Sequence, residues 1–364
     1  MEKLVKMYGG AYRGRKVLVT GHTGFKGSWL VLWLRALGAE PIGLALEPDT
    51  APSHWELLGL DMPSHMIDVR DREAVFEVVA ASGAEIVFHL AAQPLVRRSY
   101  REPIETWGAN VMGTAHVLDA CRRSADVRAI VSITTDKCYE NNEWVWGYRE
   151  NDRLGGHDPY SASKAAAELV AASYRKSYFA ASGQLLATAR AGNVIGGGDW
   201  SEDRLIPDLV RAMSGGAPME IRSPNATRPW QHVLECLAGY LILGQRLLAG
   251  DASVAEGWNF GPDKEGNRPV RQVLEEMRVH WPAILWGQSP APQPHEANLL
   301  YLDSSKASGL LGWRSVLTFS EAVAMTAEWY RDYIEHGTVS SQEQLLEYCA
   351  RAAEKGLSWA VSES

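Results

Sequence analysis

An α/β fold, a doubly wound parallel sheet with a smaller C-terminal substrate-binding lobe, follows from three observations. Short β-branched strands alternate with helical segments as far as residue 133; the first strand runs directly into a glycine loop that opens an apolar helix; and beyond Arg190 the alternation gives way to loops rich in Gly, Pro and Trp. Strand-helix-strand units cross over right-handedly, so such strands lie parallel.

The elements follow in order. Lys16-Val17-Leu18-Val19-Thr20 is a strand, Gly21-His22-Thr23-Gly24-Phe25-Lys26-Gly27 a loop, and 28–37 an apolar helix that ends at Gly38. In that setting the glycines allow a tight turn and a close backbone approach to a pyrophosphate, which the helix N-terminus attracts, so the domain is of the Rossmann type. The alternative for a bare Gly-x-x-Gly-x-x-Gly is a glycine-rich turn. A second strand, 41–46, leaves only Glu47 and Asp49 as approximate ribose ligands, and between 41 and 69 there is no Lys or Arg to pair with the extra phosphate of NADP. NAD is the expected cofactor.

A third strand, 65–70, carries Asp68 and Val69 toward an adenine, and a fourth, 85–90, leads into Leu90-Ala91-Ala92-Gln93, small enough to pack against the cofactor. His89, inside that apolar strand, reads as a satisfied core histidine. Residues 110–120 have helical spacing and suit a core or dimer helix, Ala129-Ile130-Val131-Ser132-Ile133 is a buried strand, and 184–189 is a sixth.

Chemistry concentrates between 134 and 164. Thr135, Asp136 and Lys137 sit where the 129–133 strand ends, and ligands of open parallel sheets bind beyond the carboxyl ends of strands. Tyr160 and Lys164 are four residues apart at the head of an alanine-rich segment, Ala162 and Ala165 to Ala167, and so share one helical face. An adjacent ammonium favours phenolate, which would make Tyr160 a usable base. Tyr-x-x-x-Lys also recurs by chance, so the pair gains its meaning from the glycine loop before it.

Composition bounds the function. At 364 residues, 46% hydrophobic, the chain can bury a large core. A net charge of −8 and a pI near 5.7 argue against nucleic acid or an anionic membrane as partner. Cys121, Cys138, Cys236 and Cys349 are dispersed, with neither metal-site nor disulfide-framework spacing, which suits a reducing cytoplasm and no bound metal. No stretch approaches the roughly 20 apolar residues of a membrane span.

The expected division is an NAD-binding domain over 1–190, with later returns to it, a nucleotide-sugar-binding lobe over 191–337, and a peripheral segment over 338–364. The lobe holds Asn193, Arg204, Arg228 and His232, and a proline-rich stretch, 288–294, runs into His295. Arginine suits a diphosphate because its fork donates two parallel hydrogen bonds; the alternative for each is a surface ion pair.

Assembled, these features resemble the extended short-chain dehydrogenase/reductase family of nucleotide-sugar enzymes, over nearly the whole chain. The resemblance sharpens toward its CDP-sugar 4,6-dehydratase branch at Gly21-His22-Thr23-Gly24-Phe25-Lys26-Gly27-Ser28-Trp29-Leu30, Thr135-Asp136-Lys137-Cys138-Tyr139, Glu143-Trp144-Val145-Trp146-Gly147-Tyr148-Arg149-Glu150, Arg190-Ala191-Gly192-Asn193-Val194-Ile195-Gly196-Gly197-Gly198-Asp199-Trp200 and Arg228-Pro229-Trp230-Gln231-His232-Val233. Sister branches carry Asp-Glu where this chain has Asp136-Lys137. Two departures stand out: no Asp directly follows the second strand, and 178–184 is short for the branch.

The resemblance implies Thr135, Tyr160 and Lys164 as the hydride-transfer triad and Asp136 and Lys137 as acid and base of an elimination. It implies Asn193, Arg204 and Arg228, with His232 and His295, as contacts of a CDP-glucose-type substrate. It also implies NAD as cofactor and a homodimer, or a dimer of dimers, built on the 110–120 and Tyr160 helices. Rivals on the same scaffold are a 4-epimerase, a dehydratase for another nucleotide sugar, and a silent NAD-binding protein.

Overall fold

The computed structural model describes residues 2–216, 218–221, 223–288 and 300–361. Its centre is a seven-stranded parallel sheet: β1 (Lys16–Thr20), β2 (Glu40–Ala45), β3 (Ser64–Met66), β4 (Ile86–His89), β5 (Ala129–Ile133), β6 (Leu185–Ala191) and β7 (Gly257–Phe260). The spatial order is β7-β6-β5-β4-β1-β2-β3, with every neighbour parallel. The order reverses between β1 and β4, so their carboxyl ends diverge and open a crevice there.

The strands are buried on both faces because successive side chains alternate between two cores. Val17 and Val19 join Trp29, Trp33, Leu237 and Leu241 from α1 (Phe25–Ala36) and α6 (Val233–Leu248). Leu18 faces the other way, among Val75, Val79, Val117 and Leu118 from α2 (Arg72–Ser82) and α3 (Gly113–Arg123), with Ala171 of α4 (Pro159–Tyr174). The predicted 110–120 helix is the later part of a longer helical run: Pro103–Trp107, a π-turn at Gly108–Met112, then α3.

A third core, around Trp200, Leu209, Val210, Leu274 and Trp329, builds the smaller lobe from α5 (Leu205–Ser214), α7 (Val270–His280) and α8 (Phe319–His336). Short strand pairs stitch it: Val194–Ile195 with Gln231–His232, Thr227–Pro229 with Asn267–Pro269, and Met219–Ile221 with Trp286–Gln288. Both α6, which packs on the sheet, and β7, its edge strand, belong to the Rossmann unit although they lie beyond 190. β7 is four residues that include Gly257 and Asn259, too short and too weak in β propensity to stand out in sequence.

The C-terminal α9 (Ser341–Glu354) corrects the expectation of a peripheral tail. Leu345, Tyr348, Cys349 and Ala352 recur at helical spacing and are buried in the main core, where Tyr348 meets Trp33 edge-on at 5.6 Å. Among the described residues, no helix is long and apolar enough to cross a membrane.

Candidate active site

A cleft of about 1600 Å³ runs from the glycine loop across the carboxyl ends of the strands into the lobe. Its cofactor end is built by glycine. Gly21 turns at φ +74° and lies so close to the next strand's exit that a Cβ would come within 2.7 Å of the Ala91 nitrogen; at Gly27 a Cβ would meet the Gly21 oxygen at 2.1 Å. Only hydrogen fits at either place, and the result is a bare backbone loop at the N-terminus of the 12-residue α1. Gly24 is the N-cap, Thr23 donates to the Leu46 carbonyl at 2.8 Å, and Phe25 and Lys26 open the helix toward the cleft.

Leu90, Ala91, Ala92 and Gln93 line the opposite wall, as do Asp68 and Val69. Gln93 is fixed by its backbone N–H to Asn110 Oδ1 at 2.8 Å. Asp68 accepts from Arg70, through N at 2.8 Å and Nε at 2.9 Å, and that guanidinium holds its carboxyl below the usual range. His89 is a core residue: buried, with Nδ1 2.7 Å from Thr20 Oγ1 and Nε2 3.1 Å from Thr114 Oγ1. The bare cradle, the helix N-terminus and the long apolar-lined cleft fit a dinucleotide.

The reacting groups converge from two elements. Asp158 caps α4 by accepting from Ser161 N at 2.9 Å, and Pro159 begins the helix, which puts Tyr160 and Lys164 on its cleft face. Beyond β5, Thr135 caps a single 3₁₀ turn, Asp136–Cys138, by accepting from Lys137 N at 3.3 Å. Its hydroxyl donates to Asp136 Oδ1 at 2.9 Å, and Tyr160 lines the same cleft. Lys137 Nζ stands 3.7 Å from Asp136 Oδ1; the lysine side chain is 33% exposed, the carboxylate 1%. Asp136 Oδ2 is buried without a partner among the described residues and faces Gly192, where a Cβ would lie 3.2 Å away.

Electrostatics differs from the sequence expectation at one point. Burial pushes the Tyr160 phenol up to about 12, opposed by the Thr135 hydrogen bond and by Arg204, so in the free protein the phenol stays protonated. Lys164 donates to the Ile133 carbonyl at 3.3 Å and is itself pushed down to about 8, first by burial and then by Lys26. Desolvation of both partners outweighs the expected lowering of the phenol by its neighbour.

On the lobe side, Asn193, Arg204 and Arg228 line the cleft. Arg204 donates to Asp199 Oδ2 at 3.1 Å, and Arg228 to the Thr227 carbonyl at 2.9 Å. His232 does not line it. It is fully buried, caps α6 by accepting from Leu234 N at 3.4 Å, and meets Trp29 edge-on at 6.1 Å, so its position is structural. His295 lies outside the described residues.

Sequence reasoning missed two features. Arg97 and Arg98 line the cleft from another segment, so the lack of basic residues over 41–69 does not leave this wall uncharged; Arg98 pairs with Asp49 at 2.6 Å and Glu202 at 3.3 Å, and Arg97 with Asp203 at 2.8 Å. The second is a buried pair, Glu168 and Arg190, beneath the reacting groups. The spacing 160, 164, 168 is the one signal that could have revealed it, since it puts Glu168 on the Tyr/Lys face.

A Rossmann sheet with a glycine cradle and a Thr/Tyr/Lys cluster defines a class of nucleotide-dependent oxidoreductase-type sites, and comparison with known proteins places the chain within it. Residues 17–255 match the model of the NAD dependent epimerase/dehydratase family, to which the chain belongs, and its cofactor is NAD. It is 47% identical over 347 residues to the CDP-glucose 4,6-dehydratase of Salmonella typhimurium, covering 93% of this chain and 97% of that one. It is 30% identical over 330 residues to the dTDP-glucose 4,6-dehydratase of Streptomyces antibioticus, covering 87% and 92%. The crystal structure of Thermus thermophilus UDP-glucose 4-epimerase in complex with NAD superposes with a TM-score of 0.73 at 26% identity, covering 87% of this chain and 99% of that one.

Proposed function

We propose that the chain is a nucleotide-sugar 4,6-dehydratase that converts CDP-glucose to CDP-4-keto-6-deoxyglucose and water. The observation that carries this reading is Asp136 beside Lys137, a buried carboxylate and a half-exposed amine 3.7 Å apart, in the same cleft as Thr135, Tyr160 and Lys164. Carbonyl chemistry at C4 alone needs no second acid and base. An elimination across C5 and C6 needs both.

The glycine cradle, Asp68, Val69 and residues 90–93 would hold the NAD, which when bound would supply the hydride acceptor and donor that oxidation at C4 and reduction at C6 need. Tyr160 takes the C4 hydroxyl proton while Thr135 orients that oxygen. Lys164, pushed down only to about 8 and so still mostly charged near neutrality, would favour the phenolate form of Tyr160 that this step requires, the phenol's own proton leaving to solvent. The 4-keto group acidifies the C5 hydrogen, Lys137 removes it, and Asp136 protonates the leaving C6 oxygen. Arg204 and Arg228 grip the diphosphate. His232 is left out of the substrate contacts.

The enzyme's surroundings are the cytoplasm, in keeping with four buried, unpaired cysteines. Its assembly is a dimer through α4 and the 103–123 run, whose Leu169, Ile104 and Met112 are 61%, 78% and 53% exposed.

The test is product mass after incubation with CDP-, dTDP-, UDP- and GDP-glucose. Loss of one water from CDP-glucose is the expected result; loss from another nucleotide sugar alone would keep the chemistry and reject the nucleotide, and no loss from any would reject the dehydratase.

A further inference from the structure

We propose that the buried Glu168–Arg190 pair is a positioning device for the reaction: it grips both ends of the 134–139 segment that carries Thr135, Asp136 and Lys137. The inference rests on the dehydratase reading for its kinetic arm and on this chain's own geometry for the rest.

Glu168 lies one turn beyond Lys164 on α4 and is 4% exposed; Arg190, on β6, is 5% exposed. Both carboxylate oxygens are fully engaged. Oε1 accepts from Thr134 Oγ1 and from Arg190 Nε at 2.9 Å; Oε2 accepts from Thr188 Oγ1 at 2.7 Å and from Arg190 Nη2 at 2.8 Å. Thr134 begins the reacting segment, so the carboxylate fixes its start.

Arginine fixes its end. Arg190 Nη1 donates to Tyr139 Oη at 2.6 Å and to the Glu150 carbonyl at 3.1 Å, and its guanidinium lies 5.0 Å from the Tyr139 ring centroid. The Tyr139 hydroxyl passes the bond on to Asn259 Oδ1 of β7 at 2.8 Å. The 3₁₀ turn is thus strung between two anchors joined by one ion pair, over the three strands β5, β6 and β7.

The pair is poorly explained by stability. Removing two charges from water costs several kcal/mol, and a packed apolar pair often does as well, whereas the geometric constraint of a forked guanidinium on a carboxylate has no apolar substitute. A displacement of about 1 Å in a reacting group costs on the order of 100-fold in rate, which makes such a constraint worth its desolvation.

Glu168 also faces Lys164. The charged and titratable groups around that amine are Lys26, which lowers it, Glu168 and Cys138, which raise it, and the buried His89 across the strand end. Around Glu168 itself stand Arg190, Arg175 and Cys138. Loss of the Glu168 charge therefore makes Lys164 give up its proton at lower pH.

The experiment compares Tyr139→Phe, which keeps the ion pair and cuts its link to the segment, with Arg190→Lys, Glu168→Gln and the uncharged double variant Glu168→Gln/Arg190→Met. Full-length folded protein is read in two ways: steady-state turnover of CDP-glucose, and backbone amide exchange of residues 134–139 by mass spectrometry without substrate. The expected result for each variant is exchange at least about 10-fold faster in 134–139 and turnover lower by about 10- to 100-fold with KM within about twofold of wild type. Glu168→Gln additionally moves the alkaline limb of the turnover profile to lower pH, and Tyr139→Phe does not. Variants that fold, exchange and turn over like wild type would overturn the proposal. If Glu168→Gln does not fold, Tyr139→Phe and the double variant decide. A wild-type protein that removes no water defeats the dehydratase reading, while the exchange arm still judges the clamp.

Discussion

Asp136 and Lys137 are adjacent in sequence and 3.7 Å apart in space, yet one is sealed in and the other reaches into the cleft. That asymmetry suits the two different proton transfers proposed for the pair. Replacing Lys137 with Met leaves the groups proposed for oxidation at C4 in place and removes the proposed base. The variant is expected to lose at least about 100-fold in water elimination while still forming, in amounts stoichiometric with enzyme, a 4-keto sugar that keeps its C6 hydroxyl. Rapid-quench mass analysis of the bound sugar checks this; wild-type elimination by the variant would remove Lys137 from the mechanism. At this scale the sequence was most legible where the chemistry is local. Tyr160 and Lys164 lie one helical turn apart, and Thr135 to Lys137 are consecutive, so their association needed no knowledge of the fold. His232 was misread because its neighbours in sequence, Arg228 and Trp230, face a different region from the α6 terminus that it caps. Glu168 was missed because its partner Arg190 lies on another strand.

At the scale of elements, α6 and α9 owe their attachment to one carboxylate. Glu235, 2% exposed, accepts from Val316 N at 3.0 Å, Leu317 N at 2.7 Å and Tyr348 Oη at 2.9 Å, and so pins the chain before α8 and the middle of α9. Burial nonetheless raises its pKa from 4.5 to about 7, against those hydrogen bonds and Lys355. A carboxyl whose folded value lies above its unfolded value binds protons more tightly when folded. It favours folding at acid pH, and that contribution is lost as pH rises through about 7. The nearly isosteric Glu235→Gln is expected to gain stability relative to wild type between pH 5 and 8, by up to about 3 kcal/mol, from the difference between those two values. Urea unfolding at both pH values measures it; a difference independent of pH would show that Glu235 does not titrate in this range. β1, β2, β4, β5 and β6 could be read from their Val, Ile and Leu, whereas β3 is only Ser64–Met66, shorter than the expected 65–70. β7 could not, because Gly257 and Asn259 break the pattern and its place at the sheet edge is set by Trp258 and Phe260 packing into the core. α9 looked dispensable at the chain's end; its apolar stripe becomes intelligible only with Trp33 in place.

For the whole molecule, the sheet supplies a rigid floor, the lobe supplies cationic side chains, and the cleft of about 1600 Å³ between them reaches from the glycine loop to Arg204 and Arg228. The apolar side chains exposed on α4 and the 103–123 run lie on the outer face of the same helices that carry Tyr160 and Asn110. Burial of that face in a dimer would brace the active-site helix. Sedimentation should show a dimer at micromolar concentration, and Leu169→Glu combined with Ile104→Glu should shift it to a monomer with a lower melting temperature; a wild-type monomer would contradict this assembly. The parallel order and the glycine cradle followed from sequence because they rest on local repeats. The ion pairs that cross the cleft mouth, Arg98 with Asp49 and Glu202, did not, because they join segments about 50 and 100 residues apart.

In the proposed reaction one site oxidises C4, removes water and returns the same hydrogen to C6 of the same sugar. The most direct measurement is a mass spectrum of product formed from an equal mixture of CDP-glucose deuterated at C4 and fully labelled with carbon-13 without deuterium. Both products are expected to have lost one water, with deuterium retained at C6 of the first and absent from the second. Deuterium appearing in the carbon-13 product, or lost to solvent, or products that retain their water, would contradict it.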